Sequence, residues 1–410
     1  MGILLGGEAK DNLQDELLEL SGLLSTLGIE SVGQFVQRRQ KLSPACLIGN
    51  GKVLELKEFA HESGAGLIVF DRALSGPQMR NIEKMTGCAV LDRQGVILEI
   101  FARHAKTNQA KTQVEIARLE YMLPRLTGAW THFQRQSGGH VSRGMGEKQI
   151  EIDRRRIKER ISRLKGQLQT IAREREVQRK SRKGELKVAL VGYTNSGKTT
   201  LMKALTKTQV AGRDELFATL DSQVKLIDPS TRPKILLSDT VGFIRNLPHS
   251  LVDSFKSTLD EVIEADLLLI VVDASHDHYA DQLRVTNEVL DEIGAHDVPR
   301  VLVFNKMDQV DDPFFAKVLR GVYPGSISVS AHNPSDAMDL RDHIYEFFEK
   351  NFIKASIEVP LSNPEILSFI YATCKILDVD YETAGTAIFD ICTTKSSMAK
   401  LSAFVKNESL

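Results

Sequence analysis

The hydrophobic residues of this chain fall in short runs, separated by stretches in which apolar residues recur at helical spacing. In the middle of the chain, mostly apolar runs occupy residues 187–191, 234–238, 267–272 and 301–304, and polar or glycine-containing turns follow them. Runs of this length, bounded by turns and alternating with helical segments, predict buried strands of a parallel sheet. The pattern predicts an α/β domain, to which we assign residues 184–353.

The N-terminal part of the chain has its own alternation of helices and strands. A helical stripe begins after a candidate N-cap, Asp11, and short strand patterns follow it at residues 31–37, 45–48, 66–70 and 89–91. This alternation predicts a small α/β domain, which we place at residues 1–106. The leucines of the stripe are Leu13, Leu17, Leu20 and Leu24.

Two long helical patterns follow and predict an antiparallel hairpin over residues 107–183. Residues 154–183 contain 13 Lys and Arg against 3 Asp and Glu. A run of charged residues usually indicates a helix face that is exposed to solvent. An excess of one sign of charge, as here, instead favours contacts with phosphates. The tip, residues 127–146, carries Trp130, Phe133, Arg135 and Arg143 among several glycines. These side chains suit stacking on unpaired RNA bases, with packing of Trp130 back onto the hairpin as the alternative.

Residues 192–199 read Gly-Tyr-Thr-Asn-Ser-Gly-Lys-Thr, a complete G-x-x-x-x-G-K-[ST] motif between a predicted strand and a predicted helix. In that context the backbone N–H groups of the loop converge on one anion. Lys198 would reach the β- and γ-phosphates, and the Thr199 hydroxyl would hold Mg²⁺. We therefore predict a nucleoside triphosphate site built by Gly192, Tyr193, Thr194, Asn195, Ser196, Gly197, Lys198 and Thr199.

A second motif, Asp-x-x-Gly, ends the next strand at Asp239 and Gly242. The carboxylate can hold the Mg²⁺ shell, and the glycine lets its N–H approach a γ-phosphate closely. Between the two motifs, Thr219 is the candidate switch threonine that would close on Mg²⁺. The expected contacts here are Phe217, Ala218, Thr219, Leu220, Asp221, Asp239, Thr240, Val241 and Gly242.

The last two motifs predict that the base is guanine. Asp308, in an Asn-Lys-x-Asp sequence, can accept the N1–H and 2-amino hydrogens of guanine, a pair that adenine does not offer. A backbone N–H at Ser330 or Ala331 could meet the guanine O6. We expect Asn305, Lys306, Met307, Asp308, Ser330 and Ala331 at the base, and we expect GTP and GDP as ligands.

Composition limits the other possibilities. The net charge is −1, so any basic surface is local. Four scattered cysteines form no C-x-x-C pair, and the longest apolar run, residues 267–272, is too short to span a membrane. We expect a cytoplasmic monomer. Residues 354–410 read as a small C-terminal α/β domain without a recognisable motif.

These sequences resemble the HflX family of GTPases over roughly residues 12–353. The strongest stretch is Asp-Thr-Val-Gly-Phe-Ile-Arg-Asn-Leu-Pro-His at residues 239–249, and others are residues 48–53, 70–75, 113–126 and 153–157. The resemblance implies a GTPase that binds the large ribosomal subunit and its RNA, and that splits or rescues stalled ribosomes under stress. Residues 141–148 depart from it, because they read Val-Ser-Arg-Gly-Met-Gly-Glu-Lys where the family has a sequence close to Gly-Thr-Arg-Gly-Pro-Gly-Glu-Thr.

Two other functions stay open at this point: a GTP-gated module whose partner contains no RNA, and an ATPase or nucleotide kinase. Asn305 and Asp308 argue against the latter. Phe243 stands where Ras-like GTPases place a water-orienting glutamine, so we expect slow intrinsic hydrolysis, supported by Lys198, Mg²⁺ and backbone N–H groups such as that of Gly242. In relatives that also lack the glutamine, an Asn at the position of Asn195 helps to seat a K⁺ ion. The alternative is an Asn195 side chain bonded within its own turn.

Overall fold

The computed structural model describes residues 1–5, 10–126, 143–180, 185–206, 216–217, 219–220, 223–245, 259–381 and 385–402. These residues form two compact units. The first contains residues 1–173 together with the short segment around Phe217 and Thr219, and the second contains most of the remaining chain.

The first unit begins with alternating strands and helices. They are β1 (Gly2–Leu5), α1 (Lys10–Thr26), β2 (Val36–Arg39), α2 (Asn50–Ser63), β3 (Leu67–Phe70), α3 (Gly76–Thr86), β4 (Ala89–Asp92) and α4 (Arg93–His104). Strand β1 pairs in parallel with β2, and β3 pairs in parallel with β4. Apolar side chains of α2, α3, the strands and the turn before α2, including Ile48, Phe70 and Ile82, form the core beneath them.

Three details of this unit differ from the sequence prediction. Strand β1 was not predicted, and the strand expected at residues 31–37 begins only at Val36. The strand expected at residues 45–48 is a turn closed by a bridge between Ser43 and Leu47. Leu47 has φ = 64° in this turn, a conformation that a bulky residue adopts only when its surroundings hold it there.

A helical hairpin, apart from residues 174–180 of its second helix, completes the first unit. Helix α5 (Asn108–Met122) continues as a 3₁₀ turn (Leu123–Arg125), and helix α6 (Arg143–Lys180) runs back. Ile116 of α5 packs against Ile161 and Leu164 of α6, which fixes the two helices side by side. Helix α6 begins at Arg143, so the tip we placed at residues 127–146 is shorter; the remainder of that tip lies outside the described residues.

The second unit contains the predicted parallel sheet. Its strands are β5 (Leu186–Gly192), β6 (Gln223–Leu226), β7 (Ile235–Asp239), β8 (Leu267–Asp273), β9 (Arg300–Asn305) and β10 (Ile327–Ser328), in the order β10-β9-β8-β5-β7-β6. Only β6 is antiparallel. The flanking helices are α7 (Lys198–Thr206), α8 (Tyr279–Glu292), α9 (Phe315–Val322) and α10 (Pro334–Glu349). Open sheets of this type bind their ligands at the carboxyl ends of the strands, near the centre of the sheet. Strand β5 is central, so its carboxyl end lies at that position.

The chain ends in a smaller antiparallel sheet. Its strands are β11 (Ile353–Pro360), β12 (Lys375–Tyr381) and β13 (Thr386–Thr393), in the order β11-β13-β12, with helices α11 (Pro364–Thr373) and α12 (Lys395–Leu401). Ile357, Ile370 and Phe389 are fully buried in its core.

Candidate functional site

The glycine-rich loop at residues 192–197 connects the central strand β5 to helix α7. Its turn requires unusual backbone angles: Gly192 has φ = 150° and Gly197 has φ = 90°. A Cβ on Gly197 would lie 2.2 Å from Nδ2 of Asn305, so only glycine fits there. Asn195 has φ = 60°, which asparagine tolerates better than most residues.

Asn305 connects three of the predicted motifs. From the end of β9, its side-chain Nδ2 donates to the Ser196 carbonyl at 2.9 Å, and its Oδ1 accepts from the Ala331 N–H at 3.0 Å. One side chain therefore holds the phosphate loop and the loop after β10 in place. The Ala331 N–H, which we expected to face guanine, donates to Asn305 in this structure.

Lys198 lies inside the phosphate loop. Its Nζ donates to the carbonyls of Gly192 at 3.1 Å and of Tyr193 at 2.8 Å. Burial lowers the pKa of Lys198 to about 8, while the charge of Asp239 acts in the opposite direction. A buried ammonium whose bonds to described residues are all to carbonyls is well suited to pair with an anion placed at the loop.

The side chains proposed for magnesium lie together. The Thr199 hydroxyl donates to Oδ2 of Asp239 at 2.7 Å, and Asp239 is fully buried. Both side chains offer hard oxygen atoms, the ligand type that Mg²⁺ prefers, so this pair fits the ion chemically. Thr240 anchors the same strand end through its hydroxyl, which donates to the Leu190 carbonyl at 2.7 Å.

Gly242 and Phe243 lie directly against the phosphate loop. A Cβ on Gly242 would be 2.7 Å from Cα of Thr194 and 3.1 Å from Nζ of Lys198. Phe243 is buried, and its N–H donates to the Gly192 carbonyl at 3.0 Å. Its carbonyl accepts from the Thr194 N–H at 2.7 Å. Phe243 therefore brings no polar side chain to the loop.

The predicted base-binding residues lie at the ends of β9 and β10. Lys306 adopts φ = 62° and its Nζ pairs with Oδ2 of Asp273 at 2.7 Å. Asp308 is exposed, and its carboxylate bonds to no described residue. The Ser330 N–H donates to Oδ2 of Asp336 at 2.6 Å. Asp273 and Asp336 were missed by sequence reasoning, because nothing in their local motif indicates what they contact.

The candidate switch segment lies in the first unit. The ring of Phe217 meets that of Phe101 edge-on, with centroids 4.8 Å apart, and the Phe217 carbonyl is 2.8 Å from Nδ1 of His104. Thr219 and Leu220 are buried. Ala218 and Asp221 lie outside the described residues. The contact between Phe217 and helix α4 was not foreseen, since the two are far apart in sequence.

Within the part of the chain that the structure describes, no cluster of three or more His, Cys, Asp or Glu side chains is arranged to hold a metal ion. In the same residues, no helix is long and apolar enough to cross a membrane.

Three family models match consecutive parts of the chain. The model "GTP-binding GTPase N-terminal" matches residues 14–102, and "GTP-binding GTPase Middle Region" matches residues 104–182. The model "50S ribosome-binding GTPase" matches residues 187–306, which contain the phosphate loop and Asn305.

Curated relatives cover most of the chain. The GTPase HflX of Gluconacetobacter diazotrophicus is 43% identical over 408 residues, covering 91% of this chain and 90% of the relative. The GTPase HflX of Escherichia coli K12 is 43% identical over 305 residues, covering 74% and 72%. A GTP-binding protein from Sulfolobus solfataricus, solved in complex with GDP, is 25% identical with a TM-score of 0.43, covering 84% of this chain and 97% of that one. The chain belongs to the HflX family of GTPases, which bind and hydrolyse GTP.

Proposed function

We propose that this GTPase acts on the ribosome: it binds the large subunit through its N-terminal domain and helical hairpin, and it splits or rescues stalled ribosomes under stress. It would do so in the cytoplasm, as a monomer, with the domains assigned above at residues 1–106, 107–183, 184–353 and 354–410. The observation that carries the proposal is the hairpin, a pair of packed helices with exposed cations. The match to a ribosome-binding GTPase model supports it.

Six of the described cations of helix α6 form two groups. Arg155, Arg160 and Lys165 form ion pairs with Glu159, Glu115 and Glu120, and the last two pairs connect α6 to α5. Arg156, Lys158 and Arg163 are exposed and form no ion pair with any described acidic residue. Arg156 and Arg163 are seven positions apart and therefore lie on one side of the helix. Arg156 and Arg163 therefore have the chemistry of a phosphate-binding face.

The N-terminal domain holds the beginning of the tip. Oδ2 of Asp92 accepts from Arg125 at 2.8 Å, and Oδ1 accepts from the Tyr121 hydroxyl at 2.7 Å. The Arg125 guanidinium also stacks on the Tyr121 ring, 3.5 Å from its centroid. The last described turn before the tip, Leu123–Arg125, is thus fixed to strand β4 of the N-terminal domain.

We assign the nucleotide chemistry to the residues that the strand ends bring together. Lys198 would contact the β- and γ-phosphates, Asp308 the guanine edge, and the Gly242 N–H the γ-phosphate. Thr199, with Asp239 behind it, would hold Mg²⁺, and Thr219 would join them when GTP is bound. The ion would supply positive charge next to the phosphates. Because Phe243 is buried and apolar, we attribute hydrolysis to this charge stabilisation, without a side-chain base.

We also propose a K⁺ ion beside Asn195. The Asn195 side chain is exposed and bonds to no described residue, which argues against the alternative of a bond within its own turn. Asn195 has φ = 60°, and asparagine tolerates this backbone conformation better than most residues, so the conformation is another reason for an asparagine at this position. We expect faster GTP hydrolysis in K⁺ than in Na⁺ at equal ionic strength, and Asn195→Ala should remove the difference. Equal rates in the two salts for the unmodified protein would exclude the ion.

The ribosomal proposal is tested by reversing the outward charges of the arm. In Arg156→Glu/Arg163→Glu, stimulation of GTP hydrolysis by purified large subunits should fall at least about fivefold, because phosphate contacts dominate such affinity. Hydrolysis without ribosomes should not change. The control Lys317→Glu/Arg320→Glu makes the same charge change on exposed residues of α9. Equal stimulation of the arm variant and the control would contradict the proposal.

A further inference from the structure

The chain that follows Gly242 is attached to the phosphate loop by its backbone. Phe243 forms a parallel bridge with Tyr193: its N–H donates to the Gly192 carbonyl at 3.0 Å, and its carbonyl accepts from the Thr194 N–H at 2.7 Å. These bonds press Gly242 onto Cα of Thr194, where a Cβ would have only 2.7 Å. The position of the Gly242 N–H therefore depends on how firmly this bridge is held.

A second attachment comes from a side chain of the phosphate loop itself. Tyr193 is buried, and its hydroxyl oxygen accepts from the Arg245 N–H at 2.9 Å. The Arg245 guanidinium in turn contacts Oδ2 of Asp281, in the first turn of α8, at 3.3 Å. The G-x-x-x-x-G-K-[ST] motif does not specify the residue at position 193, so the phosphate-binding function alone does not explain a tyrosine there.

These contacts hold the segment from Asp239 to Arg245 at both ends. At its start, Asp239 accepts from Thr199, the first residue after Lys198. At its end, the Tyr193 hydroxyl and Asp281 hold Arg245. Gly242 lies between the two anchors, and the Phe243 bridge beside it is supported on its far side by the contact between the Tyr193 hydroxyl and Arg245. Releasing that contact would weaken the bridge and let the Gly242 N–H turn away from the loop. Losing the contact of the Gly242 N–H would weaken the binding of a ligand with a γ-phosphate. It would leave unchanged the binding of a ligand that ends at the β-phosphate.

We infer that Tyr193 is a positioning residue that determines the preference for GTP over GDP, by holding Gly242 through Arg245. The inference rests on the proposed contact of the Gly242 N–H with the γ-phosphate. It assigns Tyr193 a function through its hydroxyl group, in addition to the backbone contact with phosphate that any residue of the loop could make.

The test is Tyr193→Phe, which removes one oxygen atom and keeps the buried ring. Because the variant leaves the Arg245 N–H without its acceptor, affinity for a non-hydrolysable GTP analogue should fall about tenfold. Affinity for GDP should stay within about twofold of the unmodified protein's value, because GDP has no γ-phosphate that the Gly242 N–H could contact. The control is Tyr345→Phe, which removes a hydroxyl bonded to Thr231 at 2.8 Å in the same unit and should leave both affinities unchanged.

Two more variants separate the possible failures. Asp281→Asn weakens the hold on Arg245 without touching the loop and should shift the GTP-to-GDP ratio in the same direction as Tyr193→Phe. Gly242→Ala tests the underlying assignment, because the added methyl group would lie 2.7 Å from Cα of Thr194 and 3.1 Å from Nζ of Lys198 and would displace the Gly242 N–H from its position at the loop. If Gly242→Ala spares GTP, the proposed γ-phosphate contact is wrong. Suppose instead that Gly242→Ala weakens the affinity for GTP and not that for GDP. The role of Tyr193 is then overturned if Tyr193→Phe changes neither affinity, or weakens both equally.

Discussion

Asp92 is the residue whose loss should most weaken the connection between the N-terminal domain and the hairpin. It is fully buried at the end of β4 and accepts four hydrogen bonds. Two come from backbone N–H groups, of Leu74 at 3.0 Å and of Gly95 at 2.9 Å, and two come from Tyr121 and Arg125 of the hairpin, at 2.7 and 2.8 Å. Asp92→Asn keeps the size of the side chain and removes its charge.

The free-energy cost of Asp92→Asn can be estimated from the hydrogen-bond partners of Asp92. Breaking a buried ion pair by changing one member costs about 3–5 kcal/mol. Since Arg125 retains 17% exposure and can reach water, we take the lower end, about 3 kcal/mol. The amide oxygen of asparagine can still cap α4 through the Gly95 N–H, so no separate capping loss is added. A change of 3 kcal/mol in local opening corresponds to about 100-fold faster exchange of the protected amides.

Hydrogen–deuterium exchange with mass spectrometry measures this effect locally, which suits a chain of two units. Peptides from α4 and α5 should exchange about 100-fold faster in Asp92→Asn, while peptides from β8 and β9 keep their rates. The matched control is Asp378→Asn, an exposed residue of β12 whose only described bond is to the next backbone N–H. Unchanged exchange of α5 in Asp92→Asn would refute the idea that Asp92 fixes the hairpin.

The remaining predictions concern the nucleotide site. Lys198→Ala should abolish GTP binding measured by calorimetry, because it removes the buried cation of the loop, and unchanged affinity would exclude the assignment. The lowered pKa of Lys198, about 8, means that its ammonium form predominates below that pH and is lost above it. GTP affinity should therefore weaken as the pH rises past about 8; constant affinity between about pH 7 and pH 9 would contradict this. Asp308→Asn should turn the preference from guanine to xanthine in competition binding, and retained selectivity for GTP would place the base elsewhere.

The parts of the fold that could be predicted from sequence are those specified by local chemistry. The phosphate loop needs glycine where φ is positive, and strands buried on both faces need continuous apolar runs, so both leave clear patterns. Asp239 and Asn305 follow such strands, and their convergence could be expected because parallel strands end at one edge of a sheet.

The contacts that were missed depend on residues far apart in sequence. The turn at residues 45–48 has the composition of a strand, and only its surroundings force Leu47 into a left-handed conformation. Nothing near Asp92 indicates that Arg125, 33 positions away, will reach its carboxylate. The phosphate-loop motif likewise gives no indication of what the Tyr193 hydroxyl bonds to, because its partner Arg245 comes 52 residues later.

The most direct test of the ribosomal proposal is the splitting of purified ribosomes, followed by sucrose-gradient sedimentation. With a non-hydrolysable GTP analogue, the protein should convert intact ribosomes to separate subunits and should sediment with the large subunit. With GDP, the ribosomes should stay intact and the protein should remain at the top of the gradient. Intact ribosomes and unbound protein with both nucleotides would contradict the proposal.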